Sequence, residues 1–130
     1  TELQKYIGKH SRASKNISNR NLQIGLECEE QVKKIYLHQG WTFVKQRAQL
    51  KFGETDLIFH KASVVLFIEV KSLHNDWMIF ERVKKSQLDK IKRNISYYQN
   101  HSRYRKYQIK AMVVYVNKFS NQINAIEIEA

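Results

Sequence analysis

Hydrophobic residues recur along this 130-residue chain at two spacings, one typical of helices and one typical of strands. An apolar stripe that includes Cys28 and Val32 repeats every three to four residues, as on one face of a helix. Gly40 follows the stripe and is a typical helix stop. The pattern predicts one helix over residues 21–38 and a second over 83–100.

Five other segments are short and rich in β-branched and aromatic residues, which predicts strands. The third of them begins with the run Val64–Ile68, which is apolar on both faces, as expected for a central strand covered on both sides. The order of elements is α-β-β-β-α-β-β, which predicts an α/β domain over residues 21–130, with a mixed central sheet flanked by helices. The predicted strands are 41–47, 54–60, 64–72, 108–116 and 122–130.

Two segments outside this pattern leave alternatives open. Residues 1–20 carry five Lys or Arg and one acid, and we interpret them as a basic N-terminal arm that is either a frayed terminus or a contact to DNA. The loop 73–82 contains Trp77 and Phe80, which would line the core, form a dimer contact or wedge into DNA.

Charge and cysteine content narrow the class of partner. The chain has 23 Lys and Arg against 12 Asp and Glu, a formal net charge of +11, which favours a polyanion such as nucleic acid. No stretch approaches the roughly 20 apolar residues that cross a bilayer, so we expect no membrane association. A single cysteine, Cys28, fits a reducing cytoplasm.

Three charged residues interrupt the apolar centre of the predicted sheet. Glu69 and Lys71 are two apart on one strand and therefore share a face, while Asp56 lies on the preceding strand. Neighbouring carboxylates repel one another, and Mg²⁺ or Mn²⁺ would remove that cost, because such hard cations prefer oxygen ligands. The pattern therefore favours a metal site beside an amine, and the alternative is a structural ion pair at a sheet edge.

The first predicted helix offers a third acid. At about 100° per residue, Glu30 points away from the apolar stripe, while Glu29 and Glu27 lie on its two borders. Glu29 is the better candidate to reach the Asp56–Glu69 cluster, and the alternative is a solvated glutamate beside the core.

Basic residues are concentrated on the second predicted helix and the segment after it. The natural partners of the cluster as a whole are backbone phosphates, although each lysine by itself is better explained as a solubilising residue. Tyrosines interleave with these charges and could stack on splayed bases or cap the core: Tyr97, Tyr98, Tyr104 and Tyr107. The DNA-binding candidates are Lys84, Lys85, Lys90, Arg93, Arg103 and Arg105.

Four short motifs carry a resemblance to a known family. They are "G-x-x-x-E" at 25–29, "Y-L-x-x-G" at 36–40, "GETDLI" at 53–58 and "FIEVK" at 67–71. Together they resemble the YraN-like family of predicted bacterial endonucleases, which is related to the archaeal Holliday junction resolvases within the PD-(D/E)xK nuclease superfamily. The resemblance implies a restriction-endonuclease-like α-β-β-β-α-β core, in agreement with the order of elements above.

The resemblance also implies roles for individual residues. It implies that Asp56, Glu69 and Glu29 hold a metal together with the backbone carbonyl of Val70. It also implies that Lys71 is the catalytic lysine and that Gln87 is a polar helix residue near the site.

The resemblance thus implies a Mg²⁺- or Mn²⁺-dependent endonuclease that acts on branched or single-stranded DNA. Its expected roles are recombination, repair or DNA uptake, and its expected location is the cytoplasm, in association with the nucleoid. The alternative is a non-catalytic nucleic-acid-binding module of the same fold. By analogy with resolvases, a homodimer and a helicase or recombination protein are the expected protein partners.

Overall fold

The computed structural model describes residues 2–8, 19–73 and 83–130 of the chain. The helices in these residues are α1 (Glu2–Tyr6), α2 (Asn19–His38) and α3 (Lys85–Asn100), with a short 3-10 helix at Ser102–Tyr104. The strands are β1 (Thr42–Leu50), β2 (Gly53–Lys61), β3 (Val64–Leu73), β4 (Gln108–Asn117) and β5 (Ile123–Ile128).

The five strands form one mixed sheet in the order β1-β2-β3-β4-β5. Strands β1, β2 and β3 are antiparallel neighbours, β4 runs parallel to β3, and β5 is antiparallel to β4. A parallel pair needs a long crossover connection, and the segment from β3 to β4 includes α3. The predicted α/β class with a mixed central sheet and flanking helices is confirmed.

Helix α2 covers one face of the sheet with its apolar stripe. Cys28 and Val32 pack in a cluster with Leu57 of β2 and Ile68 of β3, and all four are almost fully buried. The helix ends where Gly40 adopts a φ of +90°, with its N–H donating to the Leu37 carbonyl. This left-handed ending satisfies carbonyls of the last turn and suits a residue without a Cβ.

Helix α3 covers the opposite face. Ile95 and Tyr98 pack against Ile58 of β2 and Phe67 of β3. Alternation along each strand therefore sends odd residues of β3, including Glu69 and Lys71, toward the α3 side. The second predicted helix is thus the element that faces the charged residues of the sheet.

The N-terminal segment contributes to the core beside α3. Leu3 is 4% exposed and Ile7 is 0% exposed, and both belong to the cluster that contains Ile58. Gly8 follows with a φ of +58°, and a Cβ there would overlap the Ala48 side chain. The described part of the predicted basic arm is therefore packed, while residues 9–18 lie outside the described residues and the arm's contact with DNA stays a prediction.

Two further findings concern segments singled out above. Trp77 and Phe80 lie in residues 74–82, outside the described residues. In the part of the chain that is described, no helix has both the length and the apolar character needed to span a bilayer.

Candidate active site

Asp56 and Glu69 meet where β2 and β3 stop pairing. The antiparallel register pairs Leu57 with Ile68, so one further position along the two strands brings Asp56 beside Glu69. Beyond this point the strands are joined by a side chain instead of backbone hydrogen bonds: the Val70 N–H of β3 donates to Asp56 Oδ2 of β2 at 2.7 Å. The strands diverge here, and the two carboxyl groups lie in the opening.

A second side chain bridges the same opening from the other face of β2. The Thr55 hydroxyl donates to the Ile68 carbonyl at 3.1 Å, and Thr55 is buried. Thr55 and Asp56 together hold β2 to β3 without ladder hydrogen bonds. The position of the Asp56 carboxyl is therefore fixed from both faces of its strand.

Burial and mutual repulsion disfavour the charged forms of the two acids. Burial raises the pKa of Asp56 from 3.8 to about 7, against the lowering effect of the Val70 N–H bond. Burial raises the pKa of Glu69 from 4.5 to about 8, and the charge of Asp56 adds to this rise. The pair therefore favours either a proton or a nearby cation at neutral pH.

Lys71 and Gln87 complete the immediate surroundings of the pair. Gln87 Nε2 of α3 donates to Glu69 Oε1 at 2.9 Å, which orients that carboxyl. Lys71 lies on the same face of β3 as Glu69, and its positive charge lowers the pKa of both acids. The helix glutamine predicted to lie near the site does lie there.

A cleft of about 400 Å³ opens beside the pair, between α3 and the strands. Glu69 and Gln87 line it, together with Glu54 of β2. Lys84 and Lys90 contribute positive charge to its wall. The cleft is therefore lined by both carboxylates and lysines.

Glu29 approaches this cluster from α2 but is already engaged. It is 5% exposed, and Arg47 of β1 binds both of its oxygens, with Nη2–Oε2 at 3.1 Å and Nε–Oε1 at 3.4 Å. Gln46 Nε2 donates to Oε1 at 3.4 Å. The charge of Glu29 still raises the pKa of Asp56, so it lies within electrostatic reach of the pair.

The neighbouring acid Glu27 has a different environment. It is exposed and interacts with Lys118 at 3.6 Å and with Gln23 at 3.1 Å. Of the two candidate helix acids, Glu29 is thus the one in the field of Asp56. Sequence reasoning gave no role to Arg47, the last residue of the predicted strand 41–47, because no local pattern links it to Glu29.

The donors at the opening fit a small divalent cation. In residues 2–8, 19–73 and 83–130 no group of three or more His, Cys, Asp or Glu side chains could hold a metal, and Glu29 is tied to Arg47. Mg²⁺ needs only one or two protein carboxylates and keeps waters for the rest. Asp56 and Glu69 supply two such groups with raised pKa values, and the Val70 N–H donates to one of them, Asp56.

The predicted DNA-binding residues do not form a single cluster. Lys84 and Lys90 line the cleft, and Arg93 lies farther along α3 beside Phe52. Arg103 lines a separate depression after α3. Lys85, at the start of α3, and Arg105, after the 3-10 helix, are exposed.

The fold and the acid pair define an α/β protein with a restriction-endonuclease-like core, in which two carboxyl groups lie where central strands diverge. A family model described as "Uncharacterised protein family UPF0102" matches residues 28–127. The chain belongs to this family, which is the YraN family, so the resemblance seen in the four motifs is confirmed.

Relatives of the same family occur in several bacteria. A UPF0102 protein of Campylobacter jejuni is 36% identical over 74 residues, which cover 57% of this chain and 66% of the relative. A UPF0102 protein of Fusobacterium nucleatum is 30% identical over 90 residues, which cover 68% of this chain and 76% of the relative. The chain thus spans 66% of the length of the Campylobacter jejuni protein.

Proposed function

We propose that this chain is a Mg²⁺- or Mn²⁺-dependent endonuclease that hydrolyses phosphodiester bonds in branched or single-stranded DNA, in recombination, repair or DNA uptake. The observation that carries the proposal is the meeting of Asp56 and Glu69 at the opening between β2 and β3, with pKa values raised to about 7 and about 8. Two acids that resist joint ionisation are a costly arrangement unless a cation joins them.

Each residue of the opening has a role in this proposal. Asp56 and Glu69 would hold the metal with the Val70 carbonyl, and a metal bound there would act as a Lewis acid and as a source of hydroxide. Gln87 keeps the Glu69 carboxyl in one orientation through its 2.9 Å hydrogen bond. Lys71 places a positive charge where negative charge grows on the phosphate during attack by water.

The charge of Glu29 contributes indirectly. The charge of Glu29 raises the pKa of Asp56, and the Arg47 guanidinium on β1 balances that charge. We assign it to positioning: it anchors β1 to α2 beside the opening.

The DNA backbone would enter along the cationic wall of the cleft. Lys84 and Lys90 line the same cleft as Glu69, so a phosphate held by them lies beside that acid. Such contacts are independent of base sequence and weaken with salt. The net charge of +11 favours the same partner.

A cleavage assay with matched variants tests the proposal. Linear, flapped and four-way DNA substrates are incubated with Mg²⁺, with Mn²⁺ and with EDTA, and we expect metal-dependent nicking. Asp56→Asn, Glu69→Gln and Lys71→Ala should each lose at least about 100-fold in rate, as expected when one group that stabilises developing charge is removed. Their affinity for DNA should stay within a few-fold of the wild-type value.

Asp89→Asn is the matched control, since Asp89 is an exposed carboxylate on α3. It should cleave like the wild type. Full activity in all three site variants would refute the assigned mechanism.

A second candidate function is a binding module that does not cut. It is favoured by the engagement of Glu29 with Arg47, which leaves two carboxyl groups free for a metal among the described residues of the opening. Wild-type protein that binds the substrates but cleaves none of them with either metal would establish this alternative.

A further inference from the structure

The turn between β1 and β2 is fixed to α3 by two hydrogen bonds. The Lys51 N–H donates to the Tyr98 hydroxyl at 3.2 Å, and the Phe52 N–H donates to Asn94 Oδ1 at 2.9 Å. Asn94 and Tyr98 are both buried in α3. The Phe52 ring is therefore presented from a rigid support rather than from a loose turn.

An open groove of about 680 Å³ runs along α3 beside this turn. Phe52 and Tyr97 form its aromatic part, with ring centroids 5.9 Å apart at an interplanar angle of 83°. His101 lies 5.7 Å from the Tyr97 ring and also lines the groove. Phe52 and Tyr97 are partly exposed, whereas Tyr98 and Tyr104 are buried and serve the core.

Cations surround the two exposed rings. The Arg93 guanidinium lies 5.9 Å from the centre of the Phe52 ring, and Lys51 Nζ lies 5.7 Å from the centre of the Tyr97 ring. Lys92 lines the same groove. Aromatic faces interleaved with cations are the combination by which proteins bind unpaired nucleotides, since bases stack on the rings and phosphates pair with the charges.

The groove lies next to the cleft of the candidate active site. Phe52 lines the groove and directly precedes Gly53, which lines the cleft, and Asp56 lies four residues after Phe52. At about 3.3 Å per strand residue, this separation is about 13 Å. Lys90 of the cleft and Arg93 of the groove are three residues apart on α3 and therefore neighbours on its surface.

We propose that this groove binds unpaired nucleotides of DNA next to the strand that enters the cleft, with a base stacked on Phe52 or Tyr97 and phosphates on Lys92 and Arg93. The inference rests on the proposed function and names its substrate class. Bases in a duplex present only their edges, so an exposed aromatic face selects strands whose bases are unstacked, such as flaps and single strands.

Binding without metal tests the groove separately from catalysis. Fluorescence anisotropy in EDTA measures the affinity for a labelled single strand and for a blunt duplex of the same length. Phe52→Leu and Tyr97→Leu keep apolar volume but remove the ring, and at least one of them should weaken single-strand binding at least about fivefold, as expected for loss of one base stack. Duplex binding should change by less than about twofold, because its phosphate contacts stay in place.

Phe43→Leu is the matched control. Phe43 is also a partly exposed phenylalanine beside a cation, with Lys33 Nζ 4.0 Å from the ring centre, but it lies on the α2 face of the sheet. It should leave both affinities unchanged. Equal losses for single strand and duplex in the groove variants, or no loss in either, would overturn the proposal.

Crosslinking to the wild-type chain gives a second readout that does not depend on how the variants fold. A single strand carrying 5-iodouracil, irradiated in EDTA, should crosslink to Phe52 or Tyr97. Crosslinks found only outside the groove would overturn the proposal as well. A wild-type protein that cleaves with metal but shows no preference for single strands in EDTA refutes the groove alone, whereas a wild-type protein that prefers single strands but does not cleave refutes the nuclease and leaves the groove.

Discussion

The raised pKa values of Asp56 and Glu69 predict how the stability of the metal-free protein depends on pH. Burial raises the pKa of Asp56 from 3.8 to about 7. A group whose pKa is higher in the folded state stabilises the fold below its unfolded pKa, and this stabilisation is lost as the pH rises through the folded pKa. The free energy of unfolding should therefore fall as the pH rises from 3.8 to about 7.

The magnitude follows from the proton count. While the folded state holds one more proton than the unfolded state, the free energy of unfolding falls by about 1.4 kcal/mol per pH unit. Between about pH 5 and about pH 7 the loss from Asp56 is about 2 to 3 kcal/mol by the same relation. Burial is the main cause of the raised pKa of Glu69 as well, so Glu69 lowers the free energy of unfolding in the same direction as the pH rises.

Urea denaturation in EDTA of the wild type and of Asp56→Asn measures this effect. The asparagine carbonyl can still accept the Val70 N–H, so the variant removes the titration and keeps the hydrogen bond. Its stability relative to the wild type should rise by about 2 to 3 kcal/mol over that pH range. Asp89→Asn, which changes an exposed carboxylate on α3, should follow the wild type throughout.

The difference in the free energy of unfolding between the wild type and Asp56→Asn should change with pH. If this difference stays constant within about 0.5 kcal/mol from pH 5 to pH 8, the claim that burial destabilises the charged pair is refuted. Adding Mg²⁺ should stabilise the wild type more at pH 8 than at pH 5, because the ligands bind in their deprotonated form. Asp56→Asn should lose most of this gain.

Two further predictions concern contacts around the site. Arg47→Gln should lower the free energy of unfolding by about 3 kcal/mol in urea denaturation, because it leaves the buried Glu29 charge unpaired. The Arg47→Gln/Glu29→Gln double variant should recover part of this loss, and no recovery would contradict the ion-pair account. Asn94→Ala should lower the free energy of unfolding by about 1 to 3 kcal/mol, since the Phe52 N–H loses its partner. Asn100→Ala, on the exposed side of α3, should have almost no effect, and equal losses for the two variants would contradict the role of the turn contact.

The sequence alone was enough to predict the order of elements from α2 to β5 and the shared face of Glu69 and Lys71. Alternation along β3 places Glu69 and Lys71 with Phe67 on one side, and helical periodicity places Cys28 in the core. Both patterns are local, because they depend only on residues a few positions apart. Element ends were less predictable: β1 was expected to end at residue 47 and continues to Leu50, since its last residues pair with β2 through a turn that α3 holds.

Only the tertiary structure decided which groups meet. Helical periodicity already favoured Glu29 over Glu27, but it could not show that Glu29 pairs with Arg47. Arg47 lies 18 residues away in sequence and has a left-handed φ of 51° that no local pattern predicts. The sorting of tyrosines into buried and exposed depends equally on packing, since Tyr97 and Tyr98 are adjacent in sequence. Periodicity fixes the direction of a side chain, whereas its partners come from other segments, whose distance and register are set when the whole sheet and its helices assemble.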